Sequence, residues 1–300
     1  MTELFDYDRA FHRNIGWLTK KELQVLRKKR VAVGGLGGCG GVHVTTLARI
    51  GIGEFALADF DSFELVNFNR QVGAKISTLG KQKLDVLRAM AFDINPELHI
   101  RPFPKGVQED CLDDFLEGAD IFVDAIDAFA IEMRRKIYAR CRELKIPAVL
   151  SVPLGMGTCF LIFMPDEMSL EEWFRFDDAD PAHWMANFLV GVAPAALHRV
   201  YLADDSTINL DSRDFPSTGL ACELCAGVTA AQTVKILLGR GPIEAVPTYH
   251  QFDAYRYVYK KGAIPGGNAN PVQRARLARA YKEFDRLARK RENTLASTSS

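Results

Sequence analysis

A glycine-rich loop between a predicted strand and a predicted helix is the first feature of this sequence that could do chemistry. The spacing Gly-x-Gly-x-x-Gly occurs at Gly35, Gly37 and Gly40, and Gly38 lies inside it. Because glycine has no Cβ, such a loop can turn sharply and bring backbone N–H groups and a helix N-terminus against a phosphate. The loop therefore predicts a nucleotide-binding site, and we assign these four glycines to it.

An acidic residue ends the next predicted strand. Asp59 follows the loop at a distance where a carboxylate can accept hydrogen bonds from ribose hydroxyls. The glycines and Asp59 alone fit a dinucleotide equally well, so an NAD-dependent oxidoreductase is an alternative. That alternative predicts tight NAD binding and indifference to substitution of Arg70.

Polar side chains follow this strand and favour a different nucleotide. In chain order they are Asp61, Asn67, Arg70, Gln71 and Lys83. Arginine and lysine that converge on one nucleotide suit a triphosphate and can stabilise negative charge at its α-phosphorus. A dehydrogenase needs no such cations, because the glycine loop already holds its pyrophosphate. We expect Lys81, in contrast, to be a solvated surface charge.

Residues 59–71, Lys83 and residues 123–127 resemble the nucleotide site of the ubiquitin-activating superfamily, in particular its bacterial ThiF, MoeB and HesA members. Those members adenylate small sulfur-carrier proteins. The resemblance in order and spacing covers roughly residues 7–160 and is weak over residues 217–260. It implies ATP and Mg²⁺ as cofactors. It also implies a nucleotide site in which Asp59 holds the ribose and the phosphates are bound by Asn67, Arg70, Gln71 and Lys83, with Asp61 beside them.

Asp127 is the residue that the resemblance assigns to magnesium. It follows a predicted strand, 121–124, at the carboxyl end where open α/β sheets bind ligands. A carboxylate there can hold a hard cation through oxygen. The alternative is a local role as the N-cap of the next helix.

Residues 9–15 resemble the short N-terminal arginine motif of the same superfamily. In that motif the residue at Arg13 reaches into the active site of a partner subunit, so the resemblance implies a homodimer. An arginine supplied in this way neutralises charge that develops on the phosphate. A plain surface arginine is the alternative for Arg13.

The reaction implied is adenylation of a carboxylate, with release of pyrophosphate. The catalytic residues would be Arg13, Arg70, Lys83 and Asp127. No general base is needed, because a carboxylate is already ionised at neutral pH. The acceptor is open: the C-terminus of a ubiquitin-like carrier protein, a peptide, a small molecule, or a carboxylate on a modified tRNA base.

Alternating strand and helix patterns surround these residues and predict the fold. Short apolar strands at 31–33, 54–59, 99–103, 121–124 and 148–152 are separated by helical segments. This order predicts an α/β fold, with a Rossmann-like and mostly parallel sheet covered by helices on both faces. An irregular excursion at 165–217, a helix at 227–238 and strands within 248–260 extend it.

Three regions follow from these patterns. Residues 1–160 form the ATP-binding region, residues 161–261 contain the excursion and the C-terminal part of the same domain, and residues 262–300 are a linker, a basic amphipathic helix and a frayed tail. We expect the excursion to select the acceptor. The basic helix, predicted over 272–291, docks either on its own core or on a second subunit; a nucleic-acid contact is the sharper alternative.

The cysteines depart from the pattern of many superfamily members, which bind zinc through two Cys-x-x-Cys pairs. This chain has one pair, Cys222 and Cys225, so we predict no zinc. The pair lies in an apolar setting, which favours buried and unreactive thiols. The excursion holds no cysteine, which argues against a thioester formed there; Cys222 is the only nearby substitute. These departures keep a non-catalytic scaffold of the same fold as a further alternative.

Charge and hydropathy limit the possible partners. Lysine plus arginine and aspartate plus glutamate number 38 each, so no global field attracts the chain to nucleic acid or to a membrane. The N-terminus lacks the apolar core of a signal peptide, and no run of about 18 apolar residues occurs. We therefore expect a cytoplasmic protein.

Overall fold

A computed structural model describes residues 4–204, 208 and 215–298, with the backbone alone for 286–298. Eight strands form one mixed sheet in the order β3-β2-β1-β4-β5-β6-β7-β8. The strands are β1 (Arg30–Gly34), β2 (Glu54–Ala58), β3 (His99–Phe103), β4 (Ile121–Asp124), β5 (Ala148–Leu154), β6 (Gly157–Phe163), β7 (Thr248–Asp253) and β8 (Val258–Ala263). The first five pair in parallel, and β5 to β8 pair antiparallel. The predicted α/β class with a mostly parallel sheet is confirmed.

Helices cover both faces of this sheet. They are α1 (Tyr7–Ala10), α2 (Lys20–Leu26), α3 (Gly38–Ile50), α4 (Lys83–Ile94), α5 (Leu112–Leu116), α6 (Ile131–Glu143), α7 (Leu170–Phe174), α8 (Trp184–Val192), α9 (Gly219–Leu238) and α10 (Pro271–Thr298). Two hydrophobic cores lie on opposite sides, one under α3, α4 and α9 and the other under α5, α6 and α8. The central strands are buried on both faces, which explains their short, uninterrupted apolar runs.

Strand β6 was missing from the sequence prediction. It follows β5 after a tight turn at Gly155 and Met156, and all of its residues are buried. Because both faces of the hairpin are covered, its sequence lacks the alternation of polar and apolar residues that marks a half-buried strand. The predicted region boundary after residue 160 falls inside this strand.

Helix α9 begins eight residues earlier than the predicted start at Gly227, since the structure places it at Gly219–Leu238. The side chain of Thr218 caps its first turn by accepting a hydrogen bond from the Ala221 amide. In the part of the chain that the structure describes, α9 alone is long and apolar enough to cross a membrane. It packs against α3, β5 and β6, so it is a core helix of this domain.

Helix α10 packs on the excursion and continues through Thr298, into the segment for which the sequence predicted a frayed tail. Its contact with α8 includes a hydrogen bond from Tyr281 to the buried side chain of Asn187. The ring of Tyr281 also stacks on His183, with centroids 4.2 Å apart. The prediction that the helix docks on its own core is therefore confirmed.

Candidate functional site

The glycine loop joins β1 to α3, and close backbone approach explains two of its glycines. Gly35 has a φ of +85°, and a Cβ on it would lie 2.3 Å from the carbonyl oxygen of Ala125. A Cβ on Gly40 would lie 1.8 Å from the carbonyl oxygen of Gly35. No other residue fits either position without moving the backbone. The first turn of α3 therefore starts with backbone N–H groups directed into an open cleft.

Asp59 fastens this loop to the end of β2. One of its carboxylate oxygens accepts a hydrogen bond from the Leu36 amide at 2.6 Å, and the other accepts one from the Asp61 amide at 2.8 Å. Its side chain still lines the cleft, although the residue is 8% exposed. Burial raises the pKa of this carboxyl group above its usual value, against the lowering effect of the two amides. Each oxygen retains a second lone pair that can accept a ribose hydroxyl.

Lys83, the first residue of α4, is 6% exposed, and its ammonium lies 3.0 Å from the Asp61 carboxylate. The Lys83 amide also donates to the Asp61 carbonyl at 2.8 Å. Asp61 is half exposed at the cleft. The Lys83 ammonium therefore lies at the cleft wall. An anionic ligand in the cleft can bind it in place of the Asp61 carboxylate or together with it.

Arg70, Asn67 and Gln71 come from the segment between β2 and α4, and all three line the cleft. The Arg70 guanidinium donates to the Val66 carbonyl at 3.0 Å and to the Asn69 side chain at 2.9 Å. Gln71 is buried, and its Oε1 atom has no hydrogen-bond partner within the described chain. A buried polar atom without a partner is costly, so this site is incomplete without a ligand or water.

Asp127 is exposed just beyond β4, in the turn that precedes α6. Its Oδ1 atom accepts a hydrogen bond from the Phe129 amide at 2.8 Å, while the N-cap of α6 is Ala130. The alternative that Asp127 is the N-cap of this helix is therefore wrong. Its side chain instead stabilises the turn before the helix through the hydrogen bond from Phe129. Its second oxygen is available to a cation, and carboxylate oxygen is a suitable magnesium ligand.

A buried ion pair under this turn was not recognised in the sequence. Arg134 donates from Nε to Asp124 at 2.7 Å, and both side chains are almost fully buried, at 1% and 0% exposed. Arg134 also donates to the carbonyls of Ile126 at 2.7 Å and Asp127 at 3.2 Å. The guanidinium thus holds the backbone that carries Asp127. The spacing of ten residues between the partners gives no local signal, since the sheet brings them together.

Arg13 lies elsewhere. It is exposed in a 3-10 turn, His12–Asn14, and it lies outside the described residues that line this cleft. The proposed action in a partner subunit stays a prediction.

The cleft has a volume of about 2720 Å³, which exceeds what one nucleotide needs. We call the part of the cleft wall that is formed by the glycine loop, Arg70, Lys83 and Asp127 the nucleotide end. We call the part that the excursion and α10 contribute the acceptor end: His198, Arg199, Tyr201, Phe215, Arg276, Arg279, Glu283 and Phe284. The sequence did not predict that α10 contributes to the site, because a basic amphipathic pattern does not indicate which surface the helix packs against.

The acceptor end mixes charge and apolar surface. Arg199 pairs with Glu283 at 3.6 Å, whereas Arg279 has no ion pair among the described side chains. Tyr201 donates to the Asp253 carboxylate at 2.6 Å and accepts from the Met156 amide at 2.8 Å. Burial of the ring lowers the pKa of His198 below its usual value.

No group of three or more histidine, cysteine, aspartate or glutamate side chains is arranged to hold a metal ion among the residues described. All six cysteines are free. Cys222 and Cys225 are buried, as expected, but Cys222 and Cys39 also line the nucleotide end of the cleft.

The ThiF family profile matches residues 11–270, most of the chain. The chain belongs to the ThiF family. The tRNA threonylcarbamoyladenosine dehydratase of Bacillus subtilis (strain 168) is 34% identical over 143 residues, 47% of this chain and 56% of that protein. The molybdopterin-synthase adenylyltransferase of Salmonella typhimurium (strain LT2) is 29% identical over 140 residues, 47% of this chain and 55% of that protein. The match thus spans little more than half the length of these curated relatives.

A solved structure of Escherichia coli MccB with ATP has the same fold. Its TM-score is 0.63 at 19% identity, with 89% of this chain and 73% of that chain covered. At this identity the likeness establishes the fold alone.

Proposed function

We propose that this chain adenylates a carboxylate with ATP and releases pyrophosphate. The observation that carries the proposal is the arrangement of cations at the nucleotide end. Arg70 and Lys83 border the same cleft as the glycine loop. A nicotinamide dinucleotide carries less charge and has no need of two further cations there. The NAD-dependent oxidoreductase is the weaker alternative for this reason.

The proposed reaction depends on positioning and charge neutralisation. The amides of the α3 N-terminus and the side chains of Arg70 and Lys83 hold phosphate oxygens, and the acceptor carboxylate attacks the α-phosphorus. Negative charge that develops there is stabilised by groups already in place, so little reorganisation accompanies the step. Arg13 of a partner subunit would add a further positive charge in a homodimer.

Mg²⁺ would be held by Asp127, whose free carboxylate oxygen fits a hard cation. When bound, it neutralises phosphate charge. Arg134 acts here as a positioning residue, because it fixes the carbonyls on either side of the turn through hydrogen bonds. An exposed carboxylate on a turn that is held by hydrogen bonds is better placed for a metal than one on an unsupported loop.

The acceptor remains the open part of the proposal. Relatives named for tRNA threonylcarbamoyladenosine and for molybdopterin synthase suggest a tRNA-borne or a carrier-protein carboxylate. A peptide or small molecule also fits a cleft of this volume. We assign acceptor selection to the acceptor end, including Arg276 and Arg279 of α10. We place the reaction in the cytoplasm, where thiols stay reduced.

ATP–pyrophosphate exchange with a panel of carboxylates tests the reaction. We expect Asp127→Ala to lose exchange while its circular dichroism and Tm match the wild type. Normal exchange in this variant would remove the magnesium role.

Titration calorimetry with magnesium–ATP and with NAD separates the nucleotides. ATP binding without NAD binding is expected, and the reverse would favour the oxidoreductase. ATP binding with no exchange across carriers, peptides, tRNA and amino acids would favour the non-catalytic scaffold.

A further inference from the structure

Three cysteines from two helices pack together beside the glycine loop. Cys39 lies in the first turn of α3, and Cys222 and Cys225 lie near the start of α9. They form one buried cluster with Val42 and Ala226. The cluster therefore joins residues far apart in the chain at the point where phosphates would enter.

Cys222 is placed against the phosphate end of the loop. A Cβ on Gly38 would lie 2.9 Å from the Cys222 sulfur and 3.6 Å from Cγ of Arg70. Both Cys39 and Cys222 contribute to the cleft wall, although each side chain is almost fully covered. A small oxidant that enters the open cleft can therefore reach this pair, whereas larger molecules have little access to the two sulfurs.

The surroundings of the two sulfurs favour one thiolate and one thiol. A hydrogen bond from Cys39, the charge of Arg70 and a hydrogen bond from Ser217 lower the pKa of Cys222. Hydrogen bonds to Cys222 and Cys225, together with burial, raise the pKa of Cys39 well above its usual value. Cys222 also lies near the N-terminus of α9, whose dipole favours negative charge. Cys222, whose sulfur lies beside Gly38 and Arg70 at the cleft wall, is therefore the better placed of the two to attack an oxidant in the cleft.

We propose that Cys39 and Cys222 form an oxidisable dithiol site that closes to a disulfide at the nucleotide end of the cleft. This departs from the expectation of unreactive thiols, which rested on the apolar sequence around Cys222 and could not include Arg70 or α3.

Hydrogen peroxide balances the reaction as the oxidant. The Cys222 thiolate attacks one peroxide oxygen, the O–O bond breaks, and a sulfenic acid and hydroxide form. The Cys39 sulfur then attacks the Cys222 sulfur, the S–O bond breaks, and water leaves with the Cys39 proton. The two thiols lose two electrons, which peroxide accepts.

The disulfide would alter nucleotide binding, and this part rests on the proposed function. A disulfide holds its sulfurs at about 2.05 Å, so it draws the first turn of α3 toward α9. The N–H groups of that turn are the ones that face the cleft. Conversely, bound phosphates would cover Cys222 and engage Arg70. Oxidation and ATP binding should therefore oppose each other, with the same coupling in both directions.

Peptide mapping tests the dithiol without ATP. The reduced full chain is treated with hydrogen peroxide, remaining thiols are alkylated, and the digest is examined by mass spectrometry without reductant. We expect a Cys39–Cys222 linkage that dithiothreitol reverses. A Cys222–Cys225 linkage, sulfinic acid at Cys222 without a disulfide, or no change in either thiol would each overturn the pairing.

Matched variants control this experiment. Cys39→Ser and Cys222→Ser should each remove the linkage, provided that circular dichroism shows a folded chain. Should either serine variant unfold, alkylation of the wild type decides: Cys222 must react with iodoacetamide faster than Cys141, which is equally buried but whose thiol pKa is raised by that burial. Cys111→Ser, in a separate 3-10 turn, should leave the linkage unchanged.

A second arm tests the coupling. Magnesium–ATP at ten times its measured Kd should slow formation of the linkage about tenfold. An unchanged rate despite measured ATP binding would overturn the coupling alone. Absence of ATP binding would instead reject the proposed function, while the mapping still decides the dithiol.

Discussion

The nucleotide end and the acceptor end of the cleft are assembled in different ways. The nucleotide end takes its side chains from the loops that follow β1, β2 and β4, three adjacent parallel strands. The acceptor end takes them from the 3-10 segment Leu197–Tyr201, Phe215 and α10. Because the ends of adjacent parallel strands meet at one edge of the sheet, the residues of the nucleotide end lie close together and form a recognisable sequence pattern. The other end depends on how separate segments pack.

Helix α10 sharpens this difference. The family match ends at residue 270, and α10 begins at Pro271. An element beyond the matched region therefore contributes Arg276 and Arg279 to the same cleft. The family match therefore covers the nucleotide end and the excursion, whereas the α10 part of the acceptor end lies outside it.

The largest effect should come from breaking the buried support of the nucleotide end. Arg134→Met leaves the Asp124 carboxylate buried without its partner, which we expect to lower the free energy of unfolding by about 3–5 kcal/mol. Urea denaturation measures it. Arg135→Met, one residue along and partly exposed, is the control and should cost about 1 kcal/mol or less. Equal losses in the two variants would refute the structural role of the buried pair.

A smaller effect should follow from removal of the cation at the nucleotide end. Lys83→Met keeps the stem volume but removes the ammonium, and we expect kcat/KM for ATP in pyrophosphate exchange to fall about 10²-fold. Lys81→Met changes an exposed lysine on the same segment and should leave exchange unchanged. If both variants retained wild-type exchange, Lys83 would have no phosphate role.

The acceptor end should respond differently. The double variant Arg276→Ala, Arg279→Ala should raise KM for the acceptor about 30-fold, since two charge contacts at about 1 kcal/mol each total about 2 kcal/mol, and leave the Kd of ATP unchanged. Arg274→Ala lies on the same helix outside the cleft and serves as the control. A weaker ATP Kd in the double variant would erase the distinction between the two ends.

The smallest effect concerns the rigidity of the acceptor end. Tyr201→Phe removes hydrogen bonds to the Asp253 carboxylate and from the Met156 amide, so we expect a loss of about 1 kcal/mol in unfolding free energy. Thermal and urea denaturation measure it. Tyr255→Phe, which is exposed, should be neutral. The rate of ATP–pyrophosphate exchange at saturating acceptor should stay unchanged in both variants. A large fall in this rate would show that the acceptor end also contributes to the reaction of ATP.

The sequence was most informative where one local pattern implies one structure. The spacing of Gly35, Gly37 and Gly40 requires a tight strand-to-helix turn, and short apolar runs require strands covered on both faces. Strand β6 was not predicted, because a strand that is buried on both faces lacks the alternation of polar and apolar residues. The first eight residues of α9 were not predicted, because the sequence alone did not identify Thr218 as the N-cap residue.

By itself, the sequence determined the fold class, the glycine loop and the polar residues of the nucleotide end, because these depend on local conformational limits and on parallel strand ends meeting at one edge. Only the tertiary structure decided which groups meet across long separations. It brought Arg134 under Asp127, α10 into the acceptor end, and Cys222 against Gly38. Such contacts arise from close packing between elements, and packing partners leave no periodic signal in either segment.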